Sequence, residues 1–212
     1  MEISLSILTI DYNDVEKNLS VFREDLKYLH LDVMDGNFVP NISFGPAFVK
    51  ALRKNNSFIF DTHLMINNPQ NYIKQFVDSG SDYITFHIEA VADAKSVIDL
   101  IHSYNVKAGI SIKPKTSVSE IKDLLPYLDM VLIMSVEPGF GGQSFMENSI
   151  DKAKELFEYK QSNGYKYLIN IDGGIKDTTL PLVKDYIDLA VSGSYVVNAD
   201  NPLANLLKLK NI

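Results

Sequence analysis

Two hydrophobic rhythms alternate along the chain. Short runs rich in Val, Ile, Leu and Tyr occur at "ISLSIL" (3–8), "YLHLDVM" (28–34), "FIFDTHLM" (58–65), "YITFHIE" (83–89), "KAGISIK" (107–113), "MVLIMSV" (130–136), "YLINIDG" (167–173) and "LAVSGSYV" (189–196), with the length and composition of buried strands. After each, the spacing predicts a helix: about 14–26, 46–54, 69–78, 92–103, 118–125, 147–162, 177–184 and 202–210. Pro46, Pro69 and Pro202 stand where three of these would begin, a position that tolerates a missing N–H. Strands that alternate with single helices must pair in parallel, because a parallel neighbour needs a crossover. The pattern predicts an α/β chain folded as a single-domain (β/α)8 TIM barrel over residues 1–212. A doubly wound open sheet is the alternative, but "ILTIDYNDVEK" after strand one lacks its Gly-rich fingerprint.

The second strand breaks its own pattern. "YLHLDVMDGNF" sets His30, Asp32 and Asp35 among Leu29, Leu31, Val33 and Met34, and burying an unpartnered carboxylate costs several kcal/mol, on the order of a domain's net stability. In a barrel, alternate residues face the axis and chemistry gathers at the strands' C-terminal ends. By that parity His30, Asp32 and Met34 share a face on strand two, Asp61, His63 and Met65 on strand three, Leu168, Asn170 and Asp172 on strand seven, and Ser4 and Ser6 on strand one. His30, Asp32, His63 and Asp172 can therefore converge, with the nitrogen and carboxylate mix expected for one divalent ion of the Zn, Fe, Mn or Co type. A metal would offset the buried carboxylates; a satisfied polar network without an ion is the other reading. His87 is expected as a polar residue of the site wall, with a further ligand or a partner behind a ligand as the other readings, and His102 at a surface or helix end. Met34, Met65 and Met134 read as core filler or as an apolar lid over the site. Asp82, Asp129 and Asp188 each precede a strand and are expected to tie turns at the barrel's far end.

Glycines add a ligand class. "EPGFGGQSF" (137–145) suits a loop that closes over substrate. "DGGI" (172–175) and "SGS" (192–194) fall after strand seven and in strand eight, where barrels commonly hold phosphate on backbone N–H groups. Together they point to a phosphorylated small molecule. A net charge of −7 argues against nucleic acid as partner, and no apolar run approaches the ~18 residues of a membrane span. The absence of Cys excludes thiolate chemistry. With no basic n-region before "ISLSIL", the default compartment is the cytosol, that is, a cytoplasmic protein. The outer helix faces are too ordinary to set an oligomeric state and leave a homo-oligomer open.

"LHLDVMDGNFVPNISFGP", "DTHLMI", "MSVEPGFGGQSF", "IDGGI" and "SGS", in this order, closely resemble the ribulose-phosphate 3-epimerase family, from "LSIL" to "SGSYV". The resemblance implies a metal-dependent barrel isomerase interconverting D-ribulose 5-phosphate and D-xylulose 5-phosphate. It implies that His30, Asp32, His63 and Asp172 hold the metal and that Asp32 and Asp172 also act as the acid/base pair. It further implies that Ser6 and His63 touch substrate, that Gly139, Phe140, Gly141 and Gly142 form the closing loop, and that Gly173, Gly174, Gly193 and Ser194 hold the phosphate. Asn37, Leu5 and Thr9-Ile10 depart from the usual pattern, at positions that bear on substrate detail more than on reaction type.

Rival readings differ in machinery. A sister epimerase acting on a six-carbon ketose phosphate such as D-allulose 6-phosphate would use the same residues. A Schiff-base aldolase would use Lys113, which ends strand five with inward parity. A zinc-type hydrolase would activate water on the same His/Asp set, and a phosphosugar-binding barrel would have no use for two bases.

Overall fold

Strand β2 (Tyr28–Met34) shows how the pattern becomes a wall. It lies beside β1 (Glu2–Ser6) and β3 (Ile59–Met65), with His30 opposite Asp61, Asp32 opposite His63 and Met34 opposite Met65. The same parallel pairing continues through β4 (Tyr83–His87), β5 (Lys107–Ile112), β6 (Met130–Met134), β7 (Leu168–Asp172) and β8 (Leu189–Ser192), and β8 returns to β1 to close the barrel. These relations come from a computed structural model that describes residues 1–212.

The two faces of the wall carry different chemistry. Outward residues such as Leu29, Leu31, Val33, Phe60, Leu64, Ile110 and Ile171 join a continuous core of 47 buried residues between strands and helices, the apolar burial that drives folding. Inside, the lower lumen is plugged by Tyr28, Tyr83, Met130 and Leu189. Above that plug the lumen is polar, holding buried Ser4, Ser6, His30, Asp32, Asp61, His63, Thr85, His87, Ser111 and Asn170. The outer ring includes α1 (Val15–Ser20), α2 (Pro46–Arg53), α3 (Ile73–Asp78), α4 (Ala94–Ser103), α5 (Asn148–Asn163), the single turn α6 (Ser194–Val197) and α7 (Pro202–Lys210). No helix is long and apolar enough to cross a membrane.

Two expected helices are shorter and tighter. Segment 118–125 forms 3-10 turns at Val118–Glu120 and Lys122–Tyr127, and 177–184 only the 3-10 turn Leu180–Leu182. Pro126 and Pro181 lie within them, and a ring in place of an N–H stops the longer ladder from propagating. Strand eight ends at Ser192, four residues before the apolar run does, because the chain turns at Gly193 into α6.

At the N-terminal end of the barrel, three aspartates use one device. Asp82 Oδ2 accepts the Phe60 N–H at 2.7 Å and the Arg53 guanidinium at 2.5 Å. Asp129 Oδ2 accepts the Ala108 N–H at 2.9 Å and faces His102 Nε2 at 2.8 Å. Asp188 Oδ2 accepts the Ile169 N–H at 2.8 Å and the Lys160 ammonium at 2.6 Å. Each carboxylate thus ties the start of one strand to a neighbouring helix, satisfying a backbone donor that no ladder reaches.

Candidate active site

The opposite end gathers four side chains. His30, Asp32, His63 and Asp172 each offer one ligand atom, and these four atoms all lie within 4.8 Å of one another. His30 Nε2 is 3.3 Å from Asp32 Oδ1 and 3.8 Å from Asp172 Oδ2, and His63 Nδ1 is 3.5 and 3.9 Å from the same two oxygens. His30 and His63 are fully buried, yet His30 Nε2 and His63 Nδ1 have no hydrogen-bond partner. Buried polar atoms are rarely left so. Two imidazole nitrogens and two carboxylate oxygens aimed at one point fit a divalent cation bound by nitrogen and oxygen.

What surrounds these atoms orients them. The Ser6 hydroxyl donates to Asp32 Oδ2 at 2.7 Å, leaving Oδ1 for the cluster. His30 Nδ1 meets Asp61 Oδ2 at 2.8 Å, and that oxygen also accepts from Asn170 Nδ2 at 3.1 Å. Burial opposes a charge on Asp32, but His30 and His63 outweigh it and hold its carboxyl well below the usual carboxylate range. On Asp172 burial prevails, and together with the Asp32 charge it pushes the carboxyl up to about 7. Burial lowers His30, but Asp32 and Asp61 overcome it and draw the ring toward its charged form. The carboxylates therefore favour positive charge at this point, which a proton or a bound cation supplies equally well. Desolvation holds His63 below its ordinary value and His87 at about 4.

Above the cluster opens a cavity of about 550 Å³. Asp32, Asp172 and Ser6 lie in its wall with Met34, Met65 and Met134, as do Gly139, Phe140, Gly141 and Gly142 from one loop and Gly173, Gly174, Gly193 and Ser194 from the turns after β7 and β8. The three methionines are at once buried and cavity-lining. His30 and His63 lie beneath the wall rather than in it. Gly173 and Gly174 have φ of +124° and +64°. A Cβ at Gly174 would sit 2.6 Å from the Phe145 backbone nitrogen, so the phosphate-type turn packs directly on the glycine loop. That loop is held by Gln143, whose amide donates to the Glu137 and Phe140 carbonyls, and by the Asn41 amide, which donates to the Gly139 carbonyl at 2.7 Å.

Other residues singled out from the sequence settle elsewhere. Asp35 turns away from the cluster and accepts the N–H groups of Asn37, Phe38 and Asn67, shaping the loop after β2. Asn37 is exposed in that loop, Leu5 packs outward in the core, and of Thr9 and Ile10 only Thr9 reaches the cavity. Lys113 falls just past β5 with its ammonium 3.9 Å from the centre of the Phe38 ring and does not line the cavity, which removes the support for a Schiff-base aldolase. Asp61 carries no role that the sequence suggested, and His87, expected first as site wall and otherwise as a ligand or the partner of one, stands behind His63. The D-x-H spacing on β3 and the H-x-E at the end of β4 were the available signals.

A closed parallel barrel with a His/Asp cluster beneath a glycine-lined cavity at its C-terminal end is the architecture of a (β/α)8 barrel enzyme, whose site lies at that end. Solved structures agree on the architecture: KGPDC from Streptococcus mutans superposes with a TM-score of 0.75 over 99% of this chain and 95% of its own at 14% identity. The 3-hexulose-6-phosphate synthase from Salmonella typhimurium gives 0.72 over 100% and 97% at 18% identity; identities this low establish the fold alone. The sequence model described as the Ribulose-phosphate 3 epimerase family matches residues 2–197. Ribulose-phosphate 3-epimerase of Treponema pallidum is 42% identical over 89% of this chain and 88% of its own length, and that of Aquifex aeolicus 40% identical over 98% and 94%. The chain belongs to the ribulose-phosphate 3-epimerase family. It is an isomerase, inverting ribulose phosphate at its third carbon.

Proposed function

We propose that the protein interconverts D-ribulose 5-phosphate and D-xylulose 5-phosphate by proton transfer between Asp32 and Asp172 at C3. Inverting a carbinol carbon beside a ketone requires removing a proton from one face and supplying one to the other, hence two groups on different parts of the wall. The observation that carries this is the meeting of Asp32 from β2 and Asp172 from β7 at the floor of the glycine-lined cavity. With no cation bound their surroundings already separate them: the imidazoles hold Asp32 low, whereas burial and the Asp32 charge raise Asp172. Such a division between two acids is how one site runs acid and base chemistry together. Ser6, bonded to Asp32 Oδ2, fixes the direction of that carboxylate. The backbone N–H groups around Gly173, Gly174, Gly193 and Ser194 hold the phosphate, and the methionines beside the acids exclude water. His30, Asp32, His63 and Asp172 would hold a divalent cation, whose charge stabilises the negative charge that develops on the substrate's oxygens.

The test is hydrogen exchange at C3 in deuterated water. Product carrying solvent deuterium is expected, with exchange lost when chelator strips the protein and restored by added divalent ion. Product that retains the substrate's own C3 hydrogen would overturn the two-acid scheme.

A further inference from the structure

A line of side chains leaves the candidate metal cluster and runs through the barrel wall to its rim. His63 Nε2 lies 2.9 Å from His87 Nε2, and His87 Nδ1 lies 3.2 Å from Glu89 Oε2. The other Glu89 oxygen accepts the Lys113 backbone N–H at 2.9 Å and the Thr116 hydroxyl. Both rings are fully buried, and none of the three residues lines the cavity. None is therefore placed to touch the sugar.

One arrangement of hydrogens satisfies this line. A carboxylate only accepts, so the hydrogen of a neutral His87 sits on Nδ1 and its Nε2 keeps a lone pair. The hydrogen between the rings then belongs to His63 Nε2, and His63 turns a bare Nδ1 toward Asp32 and Asp172. Nδ1 is the His63 atom that lacks any partner, and a metal requires that lone pair. The far end cannot reverse, because a backbone N–H never becomes an acceptor. We propose that Glu89 is a positioning residue: acting through His87, it fixes the tautomer of His63 and so sets the affinity of the cluster for its cation. The inference rests on His63 being a metal ligand. Asp61 does the same for His30 in a single step, from inside the barrel.

Glu89→Gln tests it with almost no change of shape. The carbonyl of the introduced amide must face the Lys113 N–H, so its NH2 faces His87, every hydrogen in the line reverses, and His63 Nδ1 becomes protonated. Competition with a chromophoric chelator, using Zn²⁺ and Mn²⁺ as probes, should show affinity about 10–100-fold weaker than in the unaltered protein. His102→Gln, at the other end of the barrel, should leave that affinity unchanged. With only four histidines, ¹⁵N NMR of the metal-free protein should resolve His63 as the Nε2–H tautomer and His87 as the Nδ1–H tautomer, a measurement independent of whether any variant folds. Equal affinity in folded Glu89→Gln, or a His63 Nδ1–H signal in the unaltered protein, would overturn the inference alone. An unaltered protein that binds neither cation would overturn the metal reading of the site and this inference with it.

Discussion

Asp82, Asp129 and Asp188 at one end of the barrel and Asp32 and Asp172 at the other are the same side chain in opposite circumstances. Each of the first three is partly exposed and holds both a backbone N–H and a cationic or imidazole partner from a helix. The two at the mouth have no Lys or Arg partner and face imidazole nitrogens that lack partners of their own. A carboxylate whose needs are met stabilises a fold, whereas one left in an unmet field is kept ready for a ligand or a proton. The contrast separates what holds this barrel closed from what it does.

The widest separation should come from Asp172→Asn. Loss of one acid/base partner is expected to cut turnover by about 10²–10⁴-fold, while the thermal midpoint holds, since the variant removes a carboxylate that burial disfavours. Steady-state rates and a melting curve on one preparation check both halves, and near-normal turnover would erase the distinction between the two ends.

Acid should act next, through the mouth. His87 is depressed to about 4, so between about pH 6.5 and 4 the unfolded chain takes a proton there that the folded one refuses. Glu89 is held at about 2 despite its burial by His87 and Thr116, so its stabilisation, complete above its ordinary value of 4.5, drains as pH falls toward 2. Asp172, raised to about 7, gains stability over the same interval and opposes this fall, so the clean readout is the Asp172→Asn background: there denaturant midpoints should fall continuously below about pH 6.5, and a flat profile between pH 6.5 and 4 would contradict the buried neutral His87.

Asp82→Ala reverses the Asp172 result. It orphans the Phe60 N–H and takes from Arg53 its carboxylate partner, leaving that guanidinium on the Gly80 and Phe58 carbonyls, at a cost of about 1–3 kcal/mol, or about 2–4 °C of melting temperature per kcal/mol. Turnover per folded molecule should not change. The smallest effect belongs to His102→Gln, which loses one largely exposed pair, worth about 0–1 kcal/mol.

Much of this was legible before folding. Asp32 and Asp172 stand at positions where strand parity and strand ends leave little choice of direction; the register that sets His30 beside Asp61 and Asp32 beside His63 came only with the paired strands, since an even shift keeps every side chain on its face. Pro46 and Pro202 marked helix starts correctly. Pro126 and Pro181 were the available warning that 118–125 and 177–184 would stay 3-10. Asp61 escaped because its partner His30 lies 31 residues distant, and Glu89 because the link that gives it a role, between His87 and His63, spans 24 residues; sequence spacing does not report such contacts. Lys113 misled for a related reason: parity counted it inward, but β5 ends one residue earlier and the side chain lies over Phe38.

The order of residues by itself determined the alternation of strands and helices, the inward set of His and Asp, and the family. Those depend on period and local chemistry, which neighbours in the chain decide. Only the closed barrel decided which imidazole nitrogen faces the cluster, which acid is held charged and which is pushed up to about 7, and which carboxylate stands behind each histidine. Those are properties of distance and desolvation, and both arise when β8 closes on β1 and water leaves the lumen.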